Sequence, residues 1–274
     1  MRRSGFGGKQ GSLSGRSKGI QTVVDRTGSK HKLIRAIAGA DLLTWIDATT
    51  TSNTVDSNLT DATINTIAGT ESTVGSNAPT TVLSSPLRTT AYSFSTNQTL
   101  EWATNLFPSS QTVATIATRF AIPGTLTDHI IFELGNASGY AAVNGGLVQG
   151  VLRNSSDSNK TSYWSGIGDG GSADTFFLGT RVTQDAATTM VSTYNTATNP
   201  DAITVSADGS TLPQAGTLDK NTTHNIIRTN KSYLGARNDG SAAPLNGHVS
   251  DFIIITRLLE PSQAARLSRA LFTQ

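Results

Sequence analysis

Side chains that commonly carry chemistry are few in this sequence. It has no cysteine, which excludes a disulfide framework and a thiolate metal site. Glycosidic hydrolysis needs two carboxylates about 5–5.5 Å or 6.5–9.5 Å apart. Composition alone leaves a Ser/His/Asp triad open, but no nucleophile motif is present. The four glutamates and the four histidines are dispersed and show neither a paired-acid pattern nor metal-ligand spacing: Glu71, Glu101, Glu133, Glu260, His31, His129, His224 and His248.

Two acidic loops are the best candidates for a bound cation. Asp169 with Asp174, or Asn238 with Asp239, supplies the oxygen ligands that Ca²⁺ prefers. The same Asp-Gly and Asn-Asp-Gly sequences are ordinary turn chemistry, which we consider about three times more probable on general grounds. We therefore expect no required cofactor, with calcium as the alternative.

The elements that must position these residues are mostly strands. Apolar residues make up 36% of the chain and charged residues 15%, and Thr, Ser, Asn and Gly fill the difference. This mixture favours strands and tight turns over long helices. About a dozen short apolar runs are separated by such turns, which predicts a two-sheet antiparallel sandwich. The run 252–255 is too apolar for a surface strand, and Pro261 with the spacing of Ala264, Leu267 and Leu271 predicts one short C-terminal helix.

The N-terminal segment differs from the rest in charge. Residues 1–35 hold nine basic residues and one acid, whereas the remainder holds 12 basic and 18 acidic residues. We divide the chain into a basic, extended Gly/Ser-rich docking arm, residues 1–39, and a sandwich domain, residues 40–274. Within the arm, 33–38 fits either a strand or a turn of helix. The alternative to docking is a solvated tail. The third interpretation of the arm is nucleic-acid binding through contacts of Lys and Arg with phosphates. The docking cations are Arg2, Arg3, Lys9, Arg16 and Lys18.

Two separated motifs resemble one known family. Near the C-terminus, the segments 234–237, 245–247, 249–255 and 259–271 read LGAR, LNG, VSDFIII and an amphipathic helix. Far upstream, residues 42–48 read LLTWIDA. In this order and separation they resemble the start and end of the concanavalin A-like lectin/glucanase jelly roll, in the laminin-G-like form of phage and bacterial surface proteins. The resemblance implies an all-β jelly-roll sandwich.

The resemblance also has implications for function. The hydrolases of this family carry both carboxylates on one strand as E-x-D-x-x-E, and here Gly135 and Ser138 stand where Glu133 would require acids. We therefore expect no enzyme activity. The family's commonest non-enzymatic role is carbohydrate binding through loop aromatics and loop Asn or Asp. Tyr163 and Trp164, in the polar stretch 154–174, are the leading candidates, although capping the end of the sandwich explains them equally well. Weaker candidates are Asn238, Asp239 and Asn246.

Taken together, these features predict a non-enzymatic bacteriophage virion protein. It would be a capsid decoration, head-fibre or tail component, in several copies or as a homo-oligomer, anchored to other virion proteins by its arm and presenting the sandwich to host-surface glycans. No run approaches the roughly 18 apolar residues of a membrane span, the basic N-terminus lacks the apolar core of a signal peptide, and nucleic-acid binding is not expected. The alternatives are a free carbohydrate-binding module or adhesin and, third, a polysaccharide hydrolase.

Overall fold

The fold consists of two antiparallel β-sheets packed face to face, which confirms the predicted all-β sandwich. The structure is a computed structural model. The residues it describes are 26–49, 66–69, 73–74, 77–124, 127–136, 138–153, 161–170, 175–198, 202–213, 225–236 and 243–272. The five predicted docking cations, from Arg2 to Lys18, lie outside these ranges, so docking by the arm stays a prediction.

The first sheet, called sheet A, runs in the order β14-β13-β12-β7-β16-β1-β2, with β5 also paired to β16 and β4 paired to β5. Its strands are β1 (Leu42–Asp47), β2 (Thr66–Gly69), β4 (Thr80–Ser84), β5 (Thr89–Phe94), β7 (Val113–Ala121), β12 (Thr188–Asn195), β13 (Ala202–Ala207), β14 (Ser210–Thr211) and β16 (Gly247–Ile255).

The second sheet, called sheet B, runs in the order β11-β10-β9-β8-β15-β6-β3. Its strands are β3 (Thr73–Val74), β6 (Leu100–Trp102), β8 (His129–Leu134), β9 (Leu147–Arg153), β10 (Thr161–Ile167), β11 (Thr175–Arg181) and β15 (Ser232–Leu234).

The strand β16 is central, as its apolar sequence predicts. It pairs with β1 on one side and β7 on the other, so the two motifs of the family resemblance lie side by side. Phe252 and Ile254 face the core between the sheets, where Phe252 packs 5.3 Å from Trp102. Ile253 and Ile255 face the other way and are equally buried. A strand that is covered on both faces reads as a continuous apolar run, which explains the sequence 252–255.

Two helices cover the outer face of sheet A. The predicted C-terminal helix is present as α2 (Pro261–Phe272), and Ala264, Leu267 and Leu271 are buried against the sheet. A second helix, α1 (Arg26–Ala38), occupies residues that we had assigned to the extended arm. Its Ile34 joins the same apolar cluster as Leu267. The arm is therefore not extended over 26–38, because this segment can bury an apolar side on the sandwich.

A buried charge cluster holds α1 on sheet A. Asp47 and Asp251 are register partners on β1 and β16, so both carboxylates lie on the helix-covered face. Lys30 inserts between them and donates from Nζ to Asp47 Oδ2 at 2.8 Å and to Asp251 Oδ1 at 2.9 Å. The Lys30 side chain is 5% exposed. Burial alone would lower the pKa of Lys30, but the two carboxylates outweigh it and raise that pKa above its ordinary 10.5. The charges therefore stabilise one another inside the fold.

Arg119 and His31 complete this cluster. Arg119 pairs in register with Asp251 and donates to the carbonyl of Leu87 at 2.9 Å. His31 Nε2 lies 3.1 Å from Asp47 Oδ2, and its ring lies edge-on to Trp45 at 4.7 Å. The helix is thus bound to two strands by ionic contacts as well as by apolar packing.

The raised pKa of Lys30 predicts an alkaline loss of stability. A lysine whose pKa is higher in the folded state stabilises the fold fully below its unfolded pKa, and this contribution is lost as pH rises through the folded pKa. The difference in unfolding free energy between the unmodified chain and Lys30→Met should therefore be constant below pH 10.5 and shrink above it. Urea unfolding at pH 7 to 12 measures it, and a difference that does not change with pH would contradict it.

Candidate functional site

The outer face of sheet B carries aromatic and acidic side chains, and neither of the two described α-helices covers it. In β6, Leu100 and Trp102 face the core, so Glu101 faces outward. The same alternation turns Tyr233 of β15 and Glu133 of β8 outward, since their neighbours along each strand are core residues. Trp164 of β10 lies on this face because Tyr163 joins the core. We call this surface the sheet B face.

Three of these residues form one row across neighbouring strands. Tyr233 is the register partner of both Glu101 and Glu133. The two glutamates are therefore two strands apart, with Cα atoms roughly 10 Å from each other and the tyrosine ring between them. This places a half-buried aromatic ring between two carboxylates.

Each glutamate in the row has a defined partner. Glu101 Oε1 accepts from Lys231 Nζ at 3.0 Å, and the Glu101 side chain is 19% exposed. Glu133 Oε1 accepts from the backbone N–H of Tyr140 at 2.9 Å, and Glu133 is 1% exposed. Glu133 therefore fixes the 3₁₀ turn Tyr140–Ala142 on the sheet, while Glu101 stays within reach of solvent.

An aromatic pair lies further along the sheet B face. The rings of Tyr140 and Trp164 are 5.5 Å apart at 71°, an edge-to-face arrangement. Trp164 is half-buried, and Ala243 packs against the same small cluster. Gly166 makes room for the pair, because a Cβ there would lie 2.8 Å from Tyr140 Cε2. The result is an indole held in place by its neighbours and partly open to solvent.

The predicted loop position of Tyr163 and Trp164 was wrong. They lie on strand β10, not in a polar loop, and strand alternation sends them to opposite faces. Tyr163 is 4% exposed in the core. Burial, then the charge of Asp208, raises the pKa of Tyr163. Tyr163 therefore offers no surface to a ligand, and Trp164 remains a candidate.

The remaining predicted residues are divided by position. Asn246 is exposed at φ 42° and lies directly before β16 of sheet A. Asn238, Asp239 and Asp174 lie outside the described residues. The next described residue, Ala243, packs against the cluster that contains Tyr140 and Trp164. Among the residues that the structure describes, no three His, Asp or Glu side chains gather as metal ligands, and calcium binding stays a prediction.

Sequence reasoning missed Tyr140, Tyr233 and Glu101 as site residues. Residues 101, 133 and 233 meet only because β15 inserts between β6 and β8. No local pattern encodes that strand order. The one available signal was the alternation around Tyr233, where Ser232 and Leu234 indicate the inward side.

The role of Gly166 gives a testable expectation. In Gly166→Ala the new Cβ would lie 2.8–3.0 Å from three atoms of the Tyr140 side chain, so that side chain must shift away from Trp164. We expect the free energy of unfolding to fall by about 1–3 kcal/mol, as for other overpacked sites. Chemical unfolding followed by near-ultraviolet circular dichroism measures both effects. Ser162→Ala, on the same strand and face, is the control, and equal behaviour of the two variants would contradict the assignment.

Neither described helix is long and apolar enough to cross a bilayer.

Comparison with known proteins identifies the fold class. No protein-family model matches the chain, and no curated protein matches it in sequence. A structure concerning cell entry of botulinum neurotoxin type C, which depends on interaction with two ganglioside molecules, is 12% identical with a TM-score of 0.55. That match covers 86% of this chain and 52% of the toxin chain, so this chain spans about half of the toxin chain.

Two shorter sugar-bound domains are also similar. The CBM40 domain of the Ruminococcus gnavus sialidase, bound to α2,3-sialyllactose, is 14% identical over 58% of this chain and 83% of its own, with a TM-score of 0.45. Domain 4 of the arabinanase AbnA from Geobacillus stearothermophilus, in complex with arabinotriose, is 16% identical over 72% and 88%, with a TM-score of 0.47. With 12% identity and a TM-score of 0.55, the toxin match shows the fold alone, and this chain is a jelly-roll-like β-sandwich.

Proposed function

We infer that this protein is a non-catalytic carbohydrate-binding β-sandwich whose ligand lies on the sheet B face. The observation that carries this proposal is Trp164, a half-buried indole that projects from a strand and is braced by Tyr140 at 5.5 Å. A half-buried indole that neither described α-helix covers can act as a platform for the C–H face of a sugar ring. Further support comes from botulinum neurotoxin type C, which has a similar fold and whose cell entry depends on interaction with two ganglioside molecules.

Tyr233 and Glu101 extend this binding surface. Trp164 and Tyr233 lie three strands apart and are offset by two residues along the strands, which gives roughly 16 Å at the usual strand dimensions. Two aromatic platforms at this separation suit an oligosaccharide better than a monosaccharide. The carboxylate of Glu101 accepts hydrogen bonds only, so it is matched to sugar hydroxyl groups as donors.

The absence of catalysis is part of the same proposal. Cleavage requires one carboxyl group to donate a proton and a second to act as base or nucleophile. Glu133 is buried and accepts the Tyr140 N–H, and Glu101 is paired with Lys231. Each carboxylate is thus held by another group of the protein, and neither is arranged to act on a glycosidic bond.

Two assays on the full chain test the proposal. A glycan array followed by isothermal titration should identify a binding oligosaccharide, and incubation with that oligosaccharide should release no reducing ends. Absence of binding across the array would refute carbohydrate binding, and release of reducing ends would refute the non-catalytic assignment.

A role in a bacteriophage virion is the more specific form of this proposal. It is supported by the basic segment 1–35 and by where that segment joins the fold. Helix α1 packs on the outer face of sheet A, opposite the sheet B face. An arm that docks on neighbouring virion proteins from α1 would leave the sheet B face directed away from the particle.

The arm can be tested without shortening the chain. Replacing Arg2, Arg3, Lys9, Arg16 and Lys18 together by Gln removes the docking charges and leaves α1 intact. Co-sedimentation with candidate phage particles should then be lost, while glycan binding is retained. Starting the chain at residue 41 is a poorer test, because it would remove Lys30 and uncover Asp47 and Asp251. If the charge-free arm sediments with particles as well as the original, the docking role is wrong.

A further inference from the structure

A cavity of about 870 Å³ lies on sheet A beside the C-terminal end of α2. Three more segments border it, namely the turn between β4 and β5, the C-terminal part of β7 with the residues that follow, and the loop before β12. Part of its lining is apolar, because Leu87 is buried there and Ala187 packs against the same small cluster. We call it the sheet A cavity; its walls belong to sheet A and α2, so it is separate from the sheet B face.

Two side chains of opposite charge stand at the mouth of the sheet A cavity. Arg88 and Asp185 both line it, and both are exposed. Within the part of the chain that the structure describes, neither side chain takes part in an ion pair. The mouth therefore presents one cation and one anion to whatever binds there.

The backbone of both charged residues is fixed in an uncommon conformation. Arg88 has a φ of 54° and Asp185 a φ of 56°, in the left-handed region that residues other than glycine seldom adopt. The Arg88 N–H donates to the carbonyl of Ser85 at 3.3 Å, and the Asp185 N–H donates to the carbonyl of Ile122 at 3.1 Å. Both charges thus project from loops that are already ordered, which lowers the entropy cost of binding.

An exposed aromatic ring completes the mouth. Phe272 lines the sheet A cavity and is 43% exposed at the end of α2. Aromatic residues and arginine are enriched in protein–protein interfaces relative to the rest of the surface. The combination of Phe272, Arg88 and an apolar lining is therefore typical of a surface that another protein covers.

The pair of opposite charges makes this surface complementary to itself. In an interface with twofold symmetry, residue i of one copy contacts residue j of the other, and j contacts i in return. A second copy rotated by 180° would place Arg88 opposite Asp185 twice and satisfy both charges. A partner that offers a single sign of charge would satisfy one of the two and repel the other.

We propose that this protein forms a twofold-symmetric homodimer through the sheet A cavity, with Arg88 of each copy paired to Asp185 of the other and Phe272 buried between them. The inference goes beyond the carbohydrate-binding function and does not depend on it. Because sheet A and α2 form the interface, the sheet B face of each copy stays uncovered. Two such faces in one particle would bind a surface of repeated glycans with higher avidity than one face.

Charge reversal on the full chain tests the interface. Sedimentation equilibrium of the unmodified protein at up to roughly 100 μM should give twice the chain mass. Arg88→Asp places two carboxylates opposite each other at both contacts, and Asp185→Arg places two guanidinium groups there. Each variant alone should raise the Kd of the dimer by roughly 100-fold or more. Phe272→Ala should weaken the dimer by roughly tenfold.

A mixture of the two charge variants is the sharpest measurement. The Arg88→Asp copy carries carboxylates at both positions and the Asp185→Arg copy carries guanidinium groups at both, so a heterodimer pairs opposite charges twice. An equal mixture should regain the dimer mass that neither variant reaches alone. Arg266→Asp, at an exposed position of α2, is the matched control and should dimerise like the unmodified chain. Circular dichroism checks that each variant is folded.

The outcomes distinguish this inference from the proposed function. If the unmodified chain stays monomeric at this concentration, the occupant of the sheet A cavity is not a second copy and the inference is wrong. If the chain dimerises but the charge variants match Arg266→Asp, or their mixture does not regain the dimer, the dimer uses another surface and the inference is equally wrong. Glycan titration of the Arg88→Asp monomer reports on the sheet B face separately, and its affinity per site should equal that of the unmodified chain.

Discussion

Replacing Lys30 by Met is expected to lower the free energy of unfolding by about 3–5 kcal/mol, which is typical when one partner of a buried ion pair is removed. The side chain of Lys30 is buried between Asp47 and Asp251, both fully buried. Methionine keeps most of the side-chain volume and the helix propensity, so the loss reflects the removal of the Lys30 charge from between the two buried carboxylates. Urea unfolding at pH 7, followed by tryptophan fluorescence, measures the change.

The same helix supplies a matched control for this substitution. Lys32 is exposed on α1, so Lys32→Met should change the free energy of unfolding by no more than about 0.5 kcal/mol. The triple variant Lys30→Met, Asp47→Asn, Asp251→Asn removes the two carboxylate charges as well and should recover part of the loss. If Lys30→Met costs no more than Lys32→Met, the charge cluster does not hold α1 in place.

Replacing Trp164 by Ala is expected to weaken oligosaccharide binding by roughly 30-fold, or about 2 kcal/mol, as for central tryptophans in other binding surfaces. The indole is a half-buried aromatic ring on the sheet B face, and its truncation also leaves the Tyr140 ring without its edge-to-face partner. Isothermal titration with the best glycan from an array measures the loss, and circular dichroism checks that the sandwich remains folded.

An exposed aromatic residue on the other side of the molecule serves as the control for Trp164→Ala. Phe272, the last residue of α2, is 43% exposed and belongs to the helix layer on sheet A. Phe272→Ala should leave glycan affinity unchanged, whereas Trp164→Phe should retain part of it. If Trp164→Ala binds glycan as tightly as Phe272→Ala does, the ligand does not lie on the sheet B face.

The fold class followed from local patterns in the sequence. The alternation of apolar residues, the apolar run 252–255 and the spacing of Ala264, Leu267 and Leu271 each depend on residues close together in the chain. Such patterns depend on the burial of one or both faces of a single strand or helix. They can therefore be recognised without knowing which other elements pack against it. The structure confirms both elements, as β16 (Gly247–Ile255) and α2 (Pro261–Phe272).

The helix α1 shows where local patterns were insufficient. Its sequence combines Gly, Ser and Lys with only a few apolar residues, so we assigned this segment to the charged N-terminal arm. The helix is stabilised by Asp47 and Asp251, which lie 17 and 221 residues away from Lys30. The sequence around Lys30 does not indicate that this lysine is buried, because strand pairing determines which carboxylates lie next to it.

The residues of the candidate site also fall into those that the sequence indicated and those that only the tertiary structure revealed. The sequence by itself determined that Trp164 is unusual, a large aromatic residue among Ser, Asn and Gly, and that the acids lack a hydrolase spacing. Only the tertiary structure decided that Tyr163 faces the core and Trp164 faces outward, and that Glu101, Tyr233 and Glu133 share a row. The physical reason is that side-chain direction and strand order depend on the register between distant segments, and hydrogen bonding across the sheet fixes that register.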